Sequence, residues 1–510
     1  MTELLPDTAR SVHCGTRRTT IAALKDRAMR LASAFHAKGV RKGDVIAALF
    51  RNDLAFLEAT LACDRLGVYL TAVNWHLAPA EVQHILTDCQ ARILIGHADL
   101  LDRLGDLGQI GPDVIRVVSH DDINAAYGLK PVGGDTYEAL LAGQRPWSGP
   151  KAPSPGTISY SSGTTGRPKG IKRLPYSLEE EQRYSEARRR LFGIERGDRV
   201  AIPGPLYHSQ SNSAMRLALA HANHIHVMPR FNAADLLRII GDEAIAHLSM
   251  VPIMFARLLD LPASHREAAD TSSVRFVLHG GSSCPTRVKA GMADWWGDVF
   301  FESYGSTECG LVTLSSTQDW RSRPASVGRV FNTVEVAIMS EDGTVLPEGE
   351  EGEILVRNPN YPPFEYIGLP GARAAIEKHG YLSNEDIGYL DADGYLYVTD
   401  RKRDMIISGG VNIYPSEIEA ALDEIDGISE SAVFGIPHPE FGEAVAAALV
   451  CNTKGALDAD WVRAALKGRI AGYKIPKLIE FHDSFARDDL GKLRKRELRA
   501  PHWQNAGRRI

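Results

Sequence analysis

Apolar positions in the first third of the chain switch between two periods. Leu24, Ala28, Leu31 and Phe35 recur at i, i+4, i+7 and i+11. That spacing puts them on one face of a helix, which Gly39 can end. Val45-Ile46-Ala47-Ala48-Leu49-Phe50 follows Gly43-Asp44 as a short unbroken apolar run, the pattern of a buried strand. Arg92-Ile93-Leu94-Ile95 and Val114-Ile115-Arg116-Val117-Val118 repeat it. Helices separated by β-branched runs predict a mainly parallel α/β sheet.

The stretch from Trp147 to Pro155 is rich in Pro, Gly and Ser and reads as a connection into the Ser/Thr/Gly-rich segment that starts at Tyr160, with a second α/β stretch after it. There Arg275-Phe276-Val277-Leu278 is a strand candidate ending at Gly280-Gly281, and Val299-Phe300-Phe301 is another ending at Glu302-Ser303-Tyr304-Gly305. In open α/β sheets the carboxyl ends of strands are where ligands bind. From about Gly328 to Asp400 the period shortens to alternation, as in Val334-Glu335-Val336-Ala337-Ile338, and predicts a small β-rich subdomain. Beyond Arg401 lies a further block with a capped helix at Ser416-Glu417-Ile418-Glu419 and a strand at Ala432-Val433-Phe434.

At 510 residues the chain predicts two or more domains with ample cores. A net charge of −6 without a long run of one sign argues against a nucleic-acid or anionic-membrane surface. Basic residues gather only at Lys492-Leu493-Arg494-Lys495-Arg496. The six cysteines form no CxxC pair, so they suggest neither a zinc site nor a disulfide framework, and a reducing cytosol fits best. The N-terminus has no apolar signal core, and the apolar stretch Ala444 to Val450 is too short to span a bilayer. The expectation is a cytoplasmic protein without an integral membrane segment.

The chemistry concentrates in Tyr160-Ser161-Ser162-Gly163-Thr164-Thr165-Gly166-Arg167-Pro168-Lys169-Gly170. Glycines let the backbone approach a ligand, and hydroxyls, freed N–H groups and an ammonium can converge on phosphate oxygens. A generic flexible loop has a similar composition, but Pro168 stiffens this one and Lys169 holds a fixed place between Pro and Gly. No Gly-Lys-Ser/Thr stands at P-loop spacing. The segment resembles the phosphate loop of the adenylate-forming superfamily, which includes acyl-CoA synthetases, aryl-CoA ligases, luciferases and adenylation domains.

The family's other motifs follow in its order. Tyr304-Gly305-Ser306-Thr307-Glu308 resembles Tyr-Gly-x-Thr-Glu, with an aromatic face for adenine, a hydroxyl for the α-phosphate and a carboxylate for Mg²⁺. Gly280-Gly281-Ser282-Ser283 resembles the Gly-Gly-Ala-Pro turn that lines adenine and the acyl pocket. Pro205-Leu206-Tyr207-His208 resembles the segment bordering the acyl carboxylate. Asn384-Glu385-Asp386 stands where the family shows Thr-Gly-Asp, so Asp386 is the ribose candidate. Asp400-Arg401-Lys402-Arg403-Asp404 resembles the hinge, with Arg403 at a pivot commonly Asp or Lys. Ile406 to Ile413 resembles the loop reaching the thioester-forming site. Ala486-Arg487-Asp488-Asp489-Leu490-Gly491-Lys492 stands for Pro-Arg-x-x-x-Gly-Lys and carries the candidate catalytic lysine.

The resemblance implies an α/β fold. Residues 1–400 form a large N-terminal domain of two mainly parallel α/β subdomains plus the β-rich one, and residues 401–510 form a small mobile α+β domain. It implies that ATP activates a carboxylic acid as acyl-AMP, releasing pyrophosphate, and that coenzyme A then takes the acyl group. Lys492, His208, Thr165 and Glu308 become the catalytic candidates. The nucleotide candidates are Ser161, Ser162, Gly163, Thr164, Thr165, Gly166, Lys169, Gly281, Ser282, Ser303, Tyr304, Gly305, Thr307, Asp386, Arg401 and Lys492. Ser408, Gly409 and Gly410 fall to coenzyme A, Glu308 to Mg²⁺, and His208, Ser209, Asn212, Gly280 and Gly281 to the acyl pocket. The details from Asp400 to Ile413 look most like fatty-acid, steroid-acid and aryl-acid CoA ligases. A carrier-loading adenylation enzyme and a non-catalytic nucleotide-binding protein are the alternatives. A homodimer is the default assembly. The acid itself is not readable.

Overall fold

The computed structural model describes residues 3–105, 112–134, 136–153, 155, 157–161, 169–281, 284, 286–340, 342–401, 406–413, 415–453, 455, 457–486 and 495–504. The expected first helix runs Ile21–Ala37, with the Thr20 hydroxyl accepting from the Ala23 N–H at 3.1 Å. Its apolar face, Leu24, Ala28, Leu31 and Phe35, is buried, and each large side chain there contributes about 2 kcal/mol. Gly39 follows at φ 84°, a left-handed value that suits glycine.

A seven-stranded sheet runs, in spatial order, Phe364–Tyr366, Lys169–Arg173, Thr157–Ser161, Tyr69–Ala72, Val45–Leu49, Ile93–His97 and Asp113–Val117. The last five are parallel, as the apolar runs predict. The connection 147–155 leads, as expected, into the hairpin of Thr157–Ser161 and Lys169–Arg173. The hairpin it feeds returns to the first sheet, because Tyr69–Ala72 leaves an edge open for Thr157–Ser161. In exchange, Ser11–Cys14 leaves the first unit and pairs with His224–Val227.

The second sheet has fourteen strands among the described residues, and the expected small β-rich subdomain forms one end of it, with its own buried cluster around Val312, Ile338, Ile354 and Leu396. Its parallel part includes Ser11–Cys14, His224–Val227, Arg199–Ile202, His247–Met250, Phe276–His279 and Phe300–Ser306. Gly310–Ser316 covers the open edge of Phe300–Ser306 antiparallel, and the strands between Gly328 and Arg401, apart from Phe364–Tyr366, extend the same sheet. One buried cluster joins Ile46 and Leu70 of the first sheet to Val200 and Ile225 of the second, together with Phe35, Phe56 and Met215 from helices. A third sheet, built on the hairpin Ile428–His438 and Gly442–Cys451, forms the C-terminal part. The helix expected to be capped at Ser416 begins instead at Pro415, a residue suited to a first turn. Among the described residues no helix is long and apolar enough to cross a membrane.

Candidate active site

The hairpin of the first sheet brackets the phosphate loop, with Ser161 paired to Lys169 across its mouth. Ser162, Gly163, Thr164, Thr165 and Gly166 lie outside the described residues, as do Ser282, Arg403 and Lys492. Lys169 sits 5.8 Å from the ring centre of Tyr366, whose hydroxyl donates to Glu308 Oε1 at 3.0 Å. The strand Phe364–Tyr366, paired to Lys169–Arg173, thus sets an ammonium and a carboxylate around one phenol. Burial pushes the Glu308 carboxyl above its ordinary range.

Arg173 ends the hairpin. Its guanidinium donates to the carbonyls of Thr307 at 2.6 Å, Glu308 at 3.0 Å and Pro362 at 2.9 Å. A planar fork on three carbonyls holds the Thr307–Glu308 turn in place. Nothing in the sequence pattern flagged this residue.

The Tyr304 motif is not beyond its strand but on it, since the strand runs to Ser306 with a bulge between Tyr304 and Gly305. A Cβ on Gly305 would lie 2.0 Å from the Gly310 carbonyl, so the bulge needs glycine. The Tyr304 hydroxyl donates to Asp386 Oδ2 at 2.6 Å and accepts from Asn384 Nδ2 at 3.1 Å. Asn384 also accepts from Ser306 Oγ at 2.8 Å. Glu385 stands at φ 57°, so the turn keeps the left-handed residue that the family's glycine supplies. The Ser383 hydroxyl steadies it by accepting from the Glu385 N–H at 2.9 Å. Asp386 lies opposite Arg401 in the strand register.

Ser303 is buried and donates to the His279 carbonyl at 3.1 Å. A Cβ at Gly280 would meet Ser303 Oγ at 2.5 Å, which explains the first glycine of the Gly-Gly turn. Pro205 to His208 leads into the helix Ser209–His221, with His208 at its N-cap position. Asn52, also unflagged by sequence, pins that turn by donating to the Gly204 carbonyl at 2.9 Å and accepting from Leu206 N–H at 2.8 Å. Burial lowers His208 to about 4, with neighbouring His76 adding to the effect. Its imidazole is therefore neutral at neutral pH. Asn212 faces the cavity, but its amide is committed to the Leu206 carbonyl at 3.0 Å and to Arg216 Nε at 3.0 Å. Ser209 also lines the cavity.

These elements surround a cavity of ≈ 1510 Å³. The C-terminal part closes one side. Gly410, at φ 81°, lies against Val251, and its carbonyl lies 3.5 Å from where Gly281 would carry a Cβ. Ser408 and Gly409 line the same space. Buried Lys474 bridges Glu417 of its own domain and Glu81 of the first sheet's helix Pro79–Asp88, the latter at 2.8 Å. Asn74 donates to the Tyr473 hydroxyl at 3.2 Å. Gly281, the Gly305–Thr307 segment and the Gly409–Gly410 turn of the C-terminal part thus line one cavity.

The AMP-binding enzyme family matches residues 5–362 and the AMP-binding enzyme C-terminal domain matches 417–492. The chain belongs to this adenylate-forming family. It is 34% identical over 478 residues to the indoleacetate–CoA ligase of Aromatoleum aromaticum, covering 92% of this chain and 90% of that one. Among solved structures, the amide bond synthetase McbA of Marinactinospora thermotolerans matches with a TM-score of 0.84 at 25% identity, over 96% of this chain and 97% of that one. The o-succinylbenzoate CoA synthetase MenE of Bacillus subtilis matches at 27% identity, over 97% of this chain and 96% of that one. Its complex with the product analogue OSB-NCoA gives a TM-score of 0.82, and its complex with the acyl-adenylate OSB-AMP gives 0.66.

Proposed function

We propose that the protein is an AMP-forming acid–thiol ligase acting on a ring-containing carboxylic acid with a polar far end. ATP activates the acid: a carboxylate oxygen attacks the α-phosphorus and pyrophosphate leaves. The thiolate of coenzyme A then attacks the acyl carbon and AMP leaves. The observation carrying this reading is one cavity lined both by Gly305, Ser306 and Thr307 and by Gly409 and Gly410.

Two anions meet in the first step, so the protein's work is alignment and neutralisation. Resemblance gives Lys492 the place between carboxylate and α-phosphate, and gives the loop from Ser161 to Lys169 the β- and γ-phosphates. Tyr304 offers its face to adenine, while Asp386 and Arg401 hold ribose. Thr307 faces the α-phosphate, its turn steadied by Arg173. His208, being neutral, orients the acyl carboxylate by hydrogen bonding rather than by charge. Glu308 suits Mg²⁺: a buried carboxyl pushed upward is relieved by a divalent cation, and Mg²⁺ favours one carboxylate plus substrate phosphates. When bound there, the ion would draw charge from the triphosphate.

The captured arrangement fits the thiol step. A double mutant of MenE bound to the CoA analogue resembles this chain more than MenE bound to the acyl-adenylate does. A swing about Arg403 would withdraw Gly410 and present Lys492 for the first step.

The acyl reading rests on the helix Ser209–His221. Arg216, eight residues past His208, reaches the cavity roughly 12 Å further along the helix. Its Nη1 pairs with Asp64 at 2.8 Å, while Nη2 is buried without a hydrogen-bond partner. A carbonyl or hydroxyl oxygen on the acid's far end would satisfy that donor. The test is a panel of matched ring acids with and without a distal oxygen, scored by pyrophosphate release and thioester formation with free coenzyme A or a pantetheinylated carrier. The oxygenated acid is preferred by about 10-fold or more in kcat/KM, and Arg216→Leu brings the ratio close to unity. Turnover without that preference rejects the acyl reading alone. Nucleotide binding with no acid-dependent pyrophosphate release rejects the ligase.

A further inference from the structure

Three histidines and a glutamate converge away from the cavity, and none of the four lines it. His13 lies on Ser11–Cys14, and His224 and His226 lie on His224–Val227. The two strands are parallel neighbours in the register Ser11↔His224 and His13↔His226. Residues two apart on a strand share a face, so all three imidazoles project from one side of the sheet edge. Glu243 closes the group from the last position of the helix Ala233–Glu243. Its Oε1 meets His13 Nδ1 at 2.9 Å, and its Oε2 meets His226 Nδ1 at 2.9 Å and His224 Nε2 at 2.5 Å. One candidate ligand atom from each residue lies within 4.8 Å of the others.

We propose that these four side chains form a structural site for a divalent ion of the zinc class, holding the N-terminal strand to the second sheet. The donor set is three imidazole nitrogens and one carboxylate oxygen, which suits four-coordinate zinc. The outer contacts have the form such sites use. His224 Nδ1, the nitrogen facing away from the cluster, lies 2.7 Å from Ser11 Oγ. Donation to that oxygen fixes the tautomer that leaves Nε2 free to bind metal. The negative end of the helix dipole also falls at Glu243. Arg199 opposes this attraction, with its Nε donating to the Glu243 carbonyl, so the carboxylate and the imidazole lone pairs carry the binding. His13 and Glu243 are each 13% exposed in their side chains, against 1% for His224 and 5% for His226, so an ion would enter from the His13–Glu243 side. Sequence order hides the site, because His13 is remote from the His224–His226 pair and meets it only when Ser11–Cys14 crosses to the second sheet.

The test uses the untagged full chain, stripped with chelator and titrated with Co²⁺ and then Zn²⁺. One equivalent of Co²⁺ should bind with the intense visible bands of a tetrahedral site, and Zn²⁺ should displace it and raise Tm. His226→Gln should weaken binding by at least about 10-fold and Ser11→Ala by about 10-fold. His221→Ala, a histidine outside the cluster, should leave binding unchanged. No stoichiometric Co²⁺ or Zn²⁺ binding to the wild-type chain, or equal binding by His226→Gln, overturns the proposal. Neither outcome bears on the ligase reading, because the readout needs no substrate.

Discussion

Tyr304 couples two motifs that stand 82 residues apart, through its hydrogen bond to Asp386. Both residue types were legible in sequence, one as an aromatic face and the other as a carboxylate for ribose. The bond between them was not, because no local pattern encodes a contact across separate strands. It holds the phenol ring and the carboxylate in fixed relation before nucleotide arrives. Tyr304→Phe keeps the ring and removes the donor. We expect KM for ATP in acid-dependent pyrophosphate exchange to rise by roughly 5- to 10-fold, the worth of about one net hydrogen bond, with Tm nearly unchanged. An unaltered KM would mean that Asp386 needs no such restraint. Arg173 and Asn52 escaped the sequence reading for the same reason: their partners are main-chain carbonyls and N–H groups, which every residue possesses.

Among elements, the phosphate hairpin and the Gly409–Gly410 turn show how far local pattern reaches. Strand existence was readable from apolar runs at Val45–Leu49, Ile93–His97 and Phe276–His279. Strand partners were not. Thr157–Ser161 went to the first sheet and Ser11–Cys14 to the second, since each filled an open edge that sequence order does not reveal. The Gly410 turn is tighter. Its residue sits at φ 81°, and a Cβ there would meet Val251 at 3.3 Å. Gly410→Leu adds both backbone strain and bulk to the wall of the proposed thiol path. Thioester formation should fall by about 100-fold or more, taking at least 3 kcal/mol of misfit at the acceptor channel. Pyrophosphate exchange should persist within a few-fold. Loss of both activities together would mean that the turn serves the first half-reaction too.

Across the whole molecule, Lys474 ties the C-terminal part to the helix Pro79–Asp88. The ammonium is 1% exposed and lies between Glu81 and Glu417. Burial pushes the Glu417 carboxyl above its ordinary range even with Lys474 opposing the shift. Glu81→Gln removes the cross-domain charge while keeping an oxygen for the Ala78 N–H. If this bridge belongs to the thiol-step arrangement, coenzyme A transfer from supplied acyl-adenylate should slow by about 10-fold, with adenylation spared. Equal slowing of both steps would detach the bridge from the domain swing. A second global property is acid sensitivity. Burial lowers both His247 and His279 from the ordinary 6.5 to about 4. Between those values the unfolded chain binds more protons than the folded one. The stability these rings contribute is thus present above 6.5 and lost as pH falls through 4, on the order of a few kcal/mol together. Tm measured from pH 7 to 4 should fall, and the fall should be shallower in His279→Gln. An identical slope in that variant would remove His279 from the account.

By itself the sequence determined the element types, the family and the candidates proposed to meet phosphate, ribose and acid. These follow from side-chain period and from short motifs whose residues are neighbours in the chain. Tertiary structure alone decided which strand fills which edge, that Tyr304 fastens Asp386 and is itself held by Asn384, that Arg216 lines the cavity, and that His13 and the His224–His226 pair share one carboxylate. Such contacts depend on residues brought together over hundreds of positions by burial and edge pairing, and a one-dimensional pattern carries no term for them.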